Sequence, residues 1–181
     1  TFSTSGPHIK LRFFGRFESA AEQSVNESAS ISELYETAVP MGADLPPASR
    51  PDAAPTFHAW ALRDNDSGAL QRLQVIKGWI EDGRTKEKVF DVACSDGLSV
   101  NPATNRCPDN GARVNLSDCS VTPDRGASEL RTTWRDPEFK AEQQAFYYLR
   151  VLENPICRWS TWDAIRAGVP PRPDMHATIQ D

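Results

Sequence analysis

The stretch Ala145 to Asp163, AFYYLRVLENPICRWSTWD, constrains the fold more than any other part of the chain. Its first half alternates, with Tyr147, Leu149 and Val151 on one face and Tyr148, Arg150 and Leu152 on the other. A period of two in a segment rich in aromatic and branched residues reads as a central β-strand. The chain leaves that strand at Asn154-Pro155, and a cysteine, an arginine and two tryptophans follow within a few residues.

The flanking sequence extends this reading. Pro7 to Phe14 alternates, with Ile9, Leu11 and Phe13 on one side and His8, Lys10 and Arg12 on the wet side. The same pattern marks strands at 57–63, 70–80 and 88–94, and an extended segment at 127–134. Asn65-Asp66-Ser67-Gly68 and Asp82-Gly83 are the turns between them. Asp64 and Asp66 resemble the start of a calcium loop, but no Gly and Glu follow at the spacing such a loop needs. Ser30 and Glu33 form a capping box ahead of Ile31, Leu34, Tyr35 and Ala38, which predicts one short helix ended by Pro40. A second helical turn is expected from Asp136-Pro137 to Gln144, and a third from Asp163 to Ala167, stopped by Gly168. The rest of the tail reads as irregular.

Strands joined by tight turns, without helices alternating between them, describe a mainly β chain. The expected fold is an antiparallel immunoglobulin-like β-sandwich with long loops and one or two short helices. Tyr147 stands where such sandwiches often place a corner tyrosine. With 181 residues, 39% hydrophobic residues and 14 prolines, the chain reads as a single loop-rich domain, 1–181. It carries an irregular insertion at 16–54 and a polar, cysteine-bearing loop at 95–127. The expected core comprises Leu11, Phe13, Trp60, Val75, Tyr147, Leu149 and Val151.

A net charge of −5 disfavours nucleic acid or anionic lipid as a partner. No apolar run approaches the roughly 20 residues of a membrane helix, so membrane insertion is not expected. The polar opening TFSTSGP lacks the features of a signal peptide and reads as the start of a fragment or processed chain. Asn26-Glu27-Ser28, Asn65-Asp66-Ser67 and Asn115-Leu116-Ser117 match the glycosylation pattern, which is too short to decide anything.

The four cysteines, Cys94, Cys107, Cys119 and Cys157, contain no C-x-x-C pair. Disulfides are therefore expected ahead of free buried thiols or a metal site, and they imply an oxidising compartment. If strand 70–80 pairs with both 88–94 and 145–153, Cys94 and Cys157 leave the sheet at the same end. That order favours Cys94–Cys157, with Cys107–Cys119 closing the polar loop, over the other two connectivities.

The chemistry of the sequence is sparse. His8, His58 and His176 are far apart, and none has a metal-ligand partner at a suitable spacing. His58 alternates with Trp60 and reads as a packed or surface histidine. No nucleophile elbow, zinc motif or phosphate-binding glycine loop occurs. Arg158, Trp159, Trp162 and Asp163 form the candidate contact surface, because Trp and Arg dominate binding hot spots. The competing reading has both tryptophans capping the core, with Arg158 and Asp163 paired over them.

APTFHAWALRD, LQRLQVIKGWIEDGRTKEKVFDVACSDG, AFYYLRVLENPICRWSTWDAIRAGVPPRP and VPMGADLPP together resemble the C-terminal part of a large bacterial family of unknown function. Its members look like exported relatives of the PHP (polymerase and histidinol phosphatase) metal-dependent phosphoesterases. The resemblance places the metal-binding histidines in a barrel preceding this region, and the opening Thr1 to Pro7 resembles the junction with it. Family members usually continue past the position of Asp181 into a final strand.

The resemblance implies an accessory β-sandwich of a periplasmic or secreted PHP-like hydrolase, with that N-terminal barrel as its partner. Any divalent metal would sit in the barrel, and neither a cofactor nor a catalytic residue is expected in this chain. The alternatives are a ligand- or carbohydrate-binding module using Trp159 and Trp162, and a structural or interaction domain. An exposed tryptophan pair in a groove favours the binding module. A flat apolar patch around Ile9, Trp159 and the proline tail favours the accessory domain.

Overall fold

The computed structural model describes residues 6–17, 30–48 and 53–180. Thr1 to Ser5 and Asn26 lie outside the described residues. The described elements are, in chain order, β1 (Lys10–Phe17), α1 (Ile31–Thr37), β2 (Val39–Pro40), β3 (Pro55–Leu62), β4 (Leu70–Glu81), β5 (Arg84–Cys94), β6 (Glu129–Arg135), β7 (Ala145–Glu153), β8 (Ile156–Cys157), α2 (Trp159–Ala167) and β9 (Thr178–Ile179). Two antiparallel sheets form, ordered β2-β1-β3-β6 and β5-β4-β7, with β8 and β9 pairing separately. The expected mainly β antiparallel sandwich is therefore present, with two helices and no closure into a barrel.

Period-two alternation sets the inner faces. Phe13, Phe57, Ala59, Ala61 and Leu130 from one sheet meet Leu70, Leu73, Val75 and Leu149 from the other. Aromatic rings close the gap between the layers: Phe57 lies 4.6 Å from Tyr147, and Phe90 lies 5.1 Å from Trp134. Leu11, Tyr147 and Val151 are partly buried against this core, alongside Ile9. Trp60 is not part of it. With Phe57, Ala59 and Ala61 facing inward, Trp60 shares the opposite face of β3 with His58.

Asp82 and Gly83 both adopt positive φ, 52° and 70°, between the paired residues Glu81 and Arg84. This is the twist-matched two-residue turn that Asp-Gly favours. The segment 145–153 flanks β4 rather than being central. β4 takes the middle because it pairs with β5 on one side and β7 on the other. The extra residue Gln71, between Leu70 and Arg72 and opposite Glu153/Leu152, forms a bulge on the β7 side of β4.

The remaining differences are local. Ser30 caps α1 by accepting from the Glu33 amide at 3.2 Å, as the capping box predicts. The helix ends at Thr37, and Val39-Pro40 then adds a short edge strand to β1. Pro40 sits where a missing amide hydrogen does no harm. Residues 136–144 form turns instead of a helical segment. α2 begins at Trp159, before the expected turn, and ends at Gly168 in the left-handed conformation (φ 66°). The tail returns as β9 to pair with Ile156–Cys157, so it is not wholly irregular.

Candidate functional site: a groove on the outer face of the β1-β3-β6 sheet

Register lines up the outward side chains of three strands. Arg12 pairs across from Trp60, and Trp60 from Arg131. In the next row Phe14, His58 and Thr133 align, and in the third Arg16, Thr56 and Arg135. α1 packs over one side of this face through Leu34 and Tyr35, with Tyr35 edge-on to Phe14 at 4.9 Å. The helix and sheet leave a groove of about 450 Å³, counting the open space at its mouth. Arg12, Phe14, Ile31, Leu34, His58 and Trp60 line one part of it, and Glu129, Arg131, Thr132 and Thr133 another.

The polar atoms here are unusually placed. His58 is 7% exposed. Its Nδ1 lies 3.1 Å from Thr133 Oγ1, whereas its Nε2 is buried without a hydrogen-bond partner. Trp60 Nε1, two residues along the same face, is likewise buried and unpartnered. Thr56 Oγ1 and the Nε of Arg16, in the adjoining row, share that condition. An unsatisfied buried donor or acceptor costs roughly 1–3 kcal/mol, and folds retain few of them.

The electrostatics are one-sided. Burial, reinforced by the positive charges of Arg16 and Arg131, pushes the His58 imidazole down to about 4, with Glu33 opposing weakly. His58 is therefore neutral at pH 7. The arrangement offers a neutral imidazole, an indole N–H and an exposed Arg12 above apolar walls. Such a set can bind and orient a polar ligand.

The surface expected at Arg158–Asp163 is arranged differently from the reading in which it caps the core. α2 buries Thr161 and Ala164, while Trp159 is 72% exposed and Trp162 is also exposed. Asp163 lies 3.9 Å from Arg166, not against Arg158. Arg166 also stands 5.7 Å from the centre of the Trp162 ring. Arg158 occupies the helix N-cap and donates its amide to Ala177, tying α2 to the β9 approach. Ile9 packs against the core, so the apolar patch foreseen around it does not form there. Open apolar surface occurs instead at Ile80 and Phe146 on the outer side of the β5-β4-β7 sheet.

All four cysteines are in disulfides, but the pairing is Cys94–Cys107 and Cys119–Cys157, each with 5.7 Å between Cα atoms. This corrects the expected Cys94–Cys157 and Cys107–Cys119. The strand order behind that expectation is the one observed. What it omitted is Asp91, buried in β5. Its carboxylate accepts from Gln74 Nε2 at 2.7 Å, Arg72 at 3.1 Å, Arg106 at 3.3 Å and the Cys107 amide at 2.7 Å. A buried carboxylate requires such partners. Meeting that need folds the start of the polar loop back along β5 and brings Cys107 to Cys94. Cys119, at a positive-φ corner (58°), is left to reach Cys157.

Among the described residues no group of three or more His, Cys, Asp or Glu side chains could hold a metal ion, and no helix is long and apolar enough to cross a membrane. Two disulfides point to an oxidising compartment. A family model described as a protein of unknown function (DUF3604) matches residues 1–181. The chain belongs to the DUF3604 family. No curated protein and no solved structure matches it. For this DUF3604 chain, the groove was hidden from sequence reasoning because His58 and Trp60 look like ordinary alternating strand residues. The aligned arginines of two separate strands, β1 and β6, were the available signal, and only register reveals them.

Proposed function

We propose that this chain is a non-catalytic accessory β-sandwich of a periplasmic or secreted, PHP-like metal-dependent hydrolase, and that it braces the catalytic barrel of the same protein. The observation that supports this reading is the open apolar surface carried on ordered elements. Ile80 is 69% exposed, Phe146 62% and Trp159 72%. Large apolar side chains held open on a sheet face and a disulfide-anchored helix are characteristic of contact surfaces. The resemblance of the long motifs to the region following a PHP-like barrel supplies the partner. No cofactor is assigned to this chain, and any divalent metal belongs to the barrel.

Hydrogen exchange tests the reading. Amides of Ala145–Glu153 and Trp159–Ala167 are expected to exchange more slowly in a full-length family protein than in the isolated chain. Equal rates in both would remove the bracing role. A second reading, a carbohydrate platform, draws on Trp159 and Trp162, which lie three residues apart on one helix face. Oligosaccharide titration that shifts both indole N–H resonances would favour it.

A further inference from the structure

We propose that the outer-face groove between α1 and the β1-β3-β6 sheet is a binding site for a small organic anion, with an oxyanion head on an apolar body. The inference goes beyond the accessory role and does not depend on the barrel. Two nitrogens carry it: the buried, unpartnered Nε1 of Trp60 and Nε2 of His58. An indole N–H only donates, so its partner must be an acceptor. His58 can match it. When the Thr133 hydroxyl donates to Nδ1 at 3.1 Å, the ring proton sits on Nε2, which is then a donor like the indole N–H.

Residues i and i+2 of a strand are roughly 6.6 Å apart, a span that the separate oxygens of one oxyanion bridge with two ordinary hydrogen bonds. Arg12 stands exposed at the rim, and Phe14, Ile31 and Leu34 form the apolar wall for the body of the ligand.

Charge agrees with this assignment. From β1 the groove faces Arg12 and Arg16, from β6 Arg131 and Glu129, and from α1 Glu33. Among the described residues just named, three are guanidinium groups and two are carboxylates. Burial does most to hold the His58 imidazole neutral, and the positive charges of Arg16 and Arg131 that add to it are what an incoming anion cancels. Anion binding therefore raises the affinity of His58 for a proton, and by linkage a lower pH strengthens anion binding.

The test uses benzenesulfonate, which stays anionic across the range, with benzyl alcohol as its neutral counterpart and inorganic sulfate as the head group alone. Calorimetry and imidazole NMR of the whole chain are expected to show saturable binding of benzenesulfonate that neither control matches. Affinity should rise several-fold between pH 7 and pH 5, and His58→Gln should abolish that rise. Trp60→Phe should weaken binding by roughly 10-fold or more, the factor for losing one charge-assisted hydrogen bond. Arg12→Gln changes only an exposed side chain and should also weaken binding, so the proposal stays testable if Trp60→Phe fails to fold. Absence of saturable binding, equal binding of benzyl alcohol or sulfate, or an affinity unchanged by Arg12→Gln and by pH would overturn the proposal.

Discussion

Lys77 is a lysine held almost entirely out of water. Its side chain is 3% exposed, its Nζ lies 2.7 Å from Asp136 Oδ2, and it also donates to the Glu138 carbonyl at 2.9 Å. Tyr147 donates its hydroxyl to the same carboxylate oxygen at 2.6 Å, and burial together with Asp136 holds the phenol pKa above its usual range. Removing one member strands the other charge in the interior. Lys77→Met is expected to cost about 3–5 kcal/mol in urea unfolding, and the double change Lys77→Met/Asp136→Leu should recover much of that. His58 yields a pH prediction with a definite sign. Its folded pKa of about 4 lies below the ordinary imidazole value of 6.5, so the unfolded chain binds the proton first. Stability is complete above pH 6.5, falls as pH drops from 6.5 towards 4, and then levels off, an effect on the order of 2 kcal/mol. His58→Gln should remove this share of the pH dependence in denaturant titrations at pH 7 and pH 4.5.

Among the elements, the polar loop between β5 and β6 depends most on cross-links. It has few apolar side chains to bury, and Asp96 helps to hold it by accepting the Gly126 amide at 2.9 and 3.0 Å. Asn110 adds a second tie by donating to Asn154 at 2.9 Å. The two disulfides span 13 and 38 residues. In the chain-entropy model these closures are worth about 3 and about 4 kcal/mol. Cys119→Ala/Cys157→Ala is therefore expected to lower stability more than Cys94→Ala/Cys107→Ala, and to raise amide exchange in both the loop and α2. Non-reducing peptide mapping should recover fragments linking Cys94 to Cys107 and Cys119 to Cys157. A Cys94–Cys157 fragment would contradict the fold of the loop start around Asp91.

At the scale of the whole molecule, the two sheets hold together through a few aromatic bridges. Phe57 stacks on Phe13 within its own sheet at 5.2 Å and meets Tyr147 of the other at 4.6 Å. Phe57→Ala removes contacts to both layers at once and is expected to cost about 3–5 kcal/mol. Unfolding followed by near-UV and by far-UV circular dichroism should shift together, because neither sheet can bury its inner face alone. Two separated transitions would show that the layers fold independently.

Strand alternation, the Asp82-Gly83 turn and the Ser30-Glu33 cap were legible from the sequence because each depends on neighbours a few residues apart. These local signals also sufficed for the mainly β sandwich. For β3 they did not say which of its two alternating faces looks inward. Trp60 is expected in the core, yet the neighbouring small residues Ala59 and Ala61 are the ones that fit between the sheets. They also did not reveal where the polar loop turns back, since that follows from the hydrogen bonds Asp91 gathers from residues 15 to 19 positions away. The groove follows the same logic. Arg12, Trp60 and Arg131 are spread over more than a hundred residues of chain and become one row through the pairing of β1, β3 and β6. Periodicity along a strand is a property of the backbone and can be read locally, whereas the register between strands, and every site built from it, exists only once the sheets have packed.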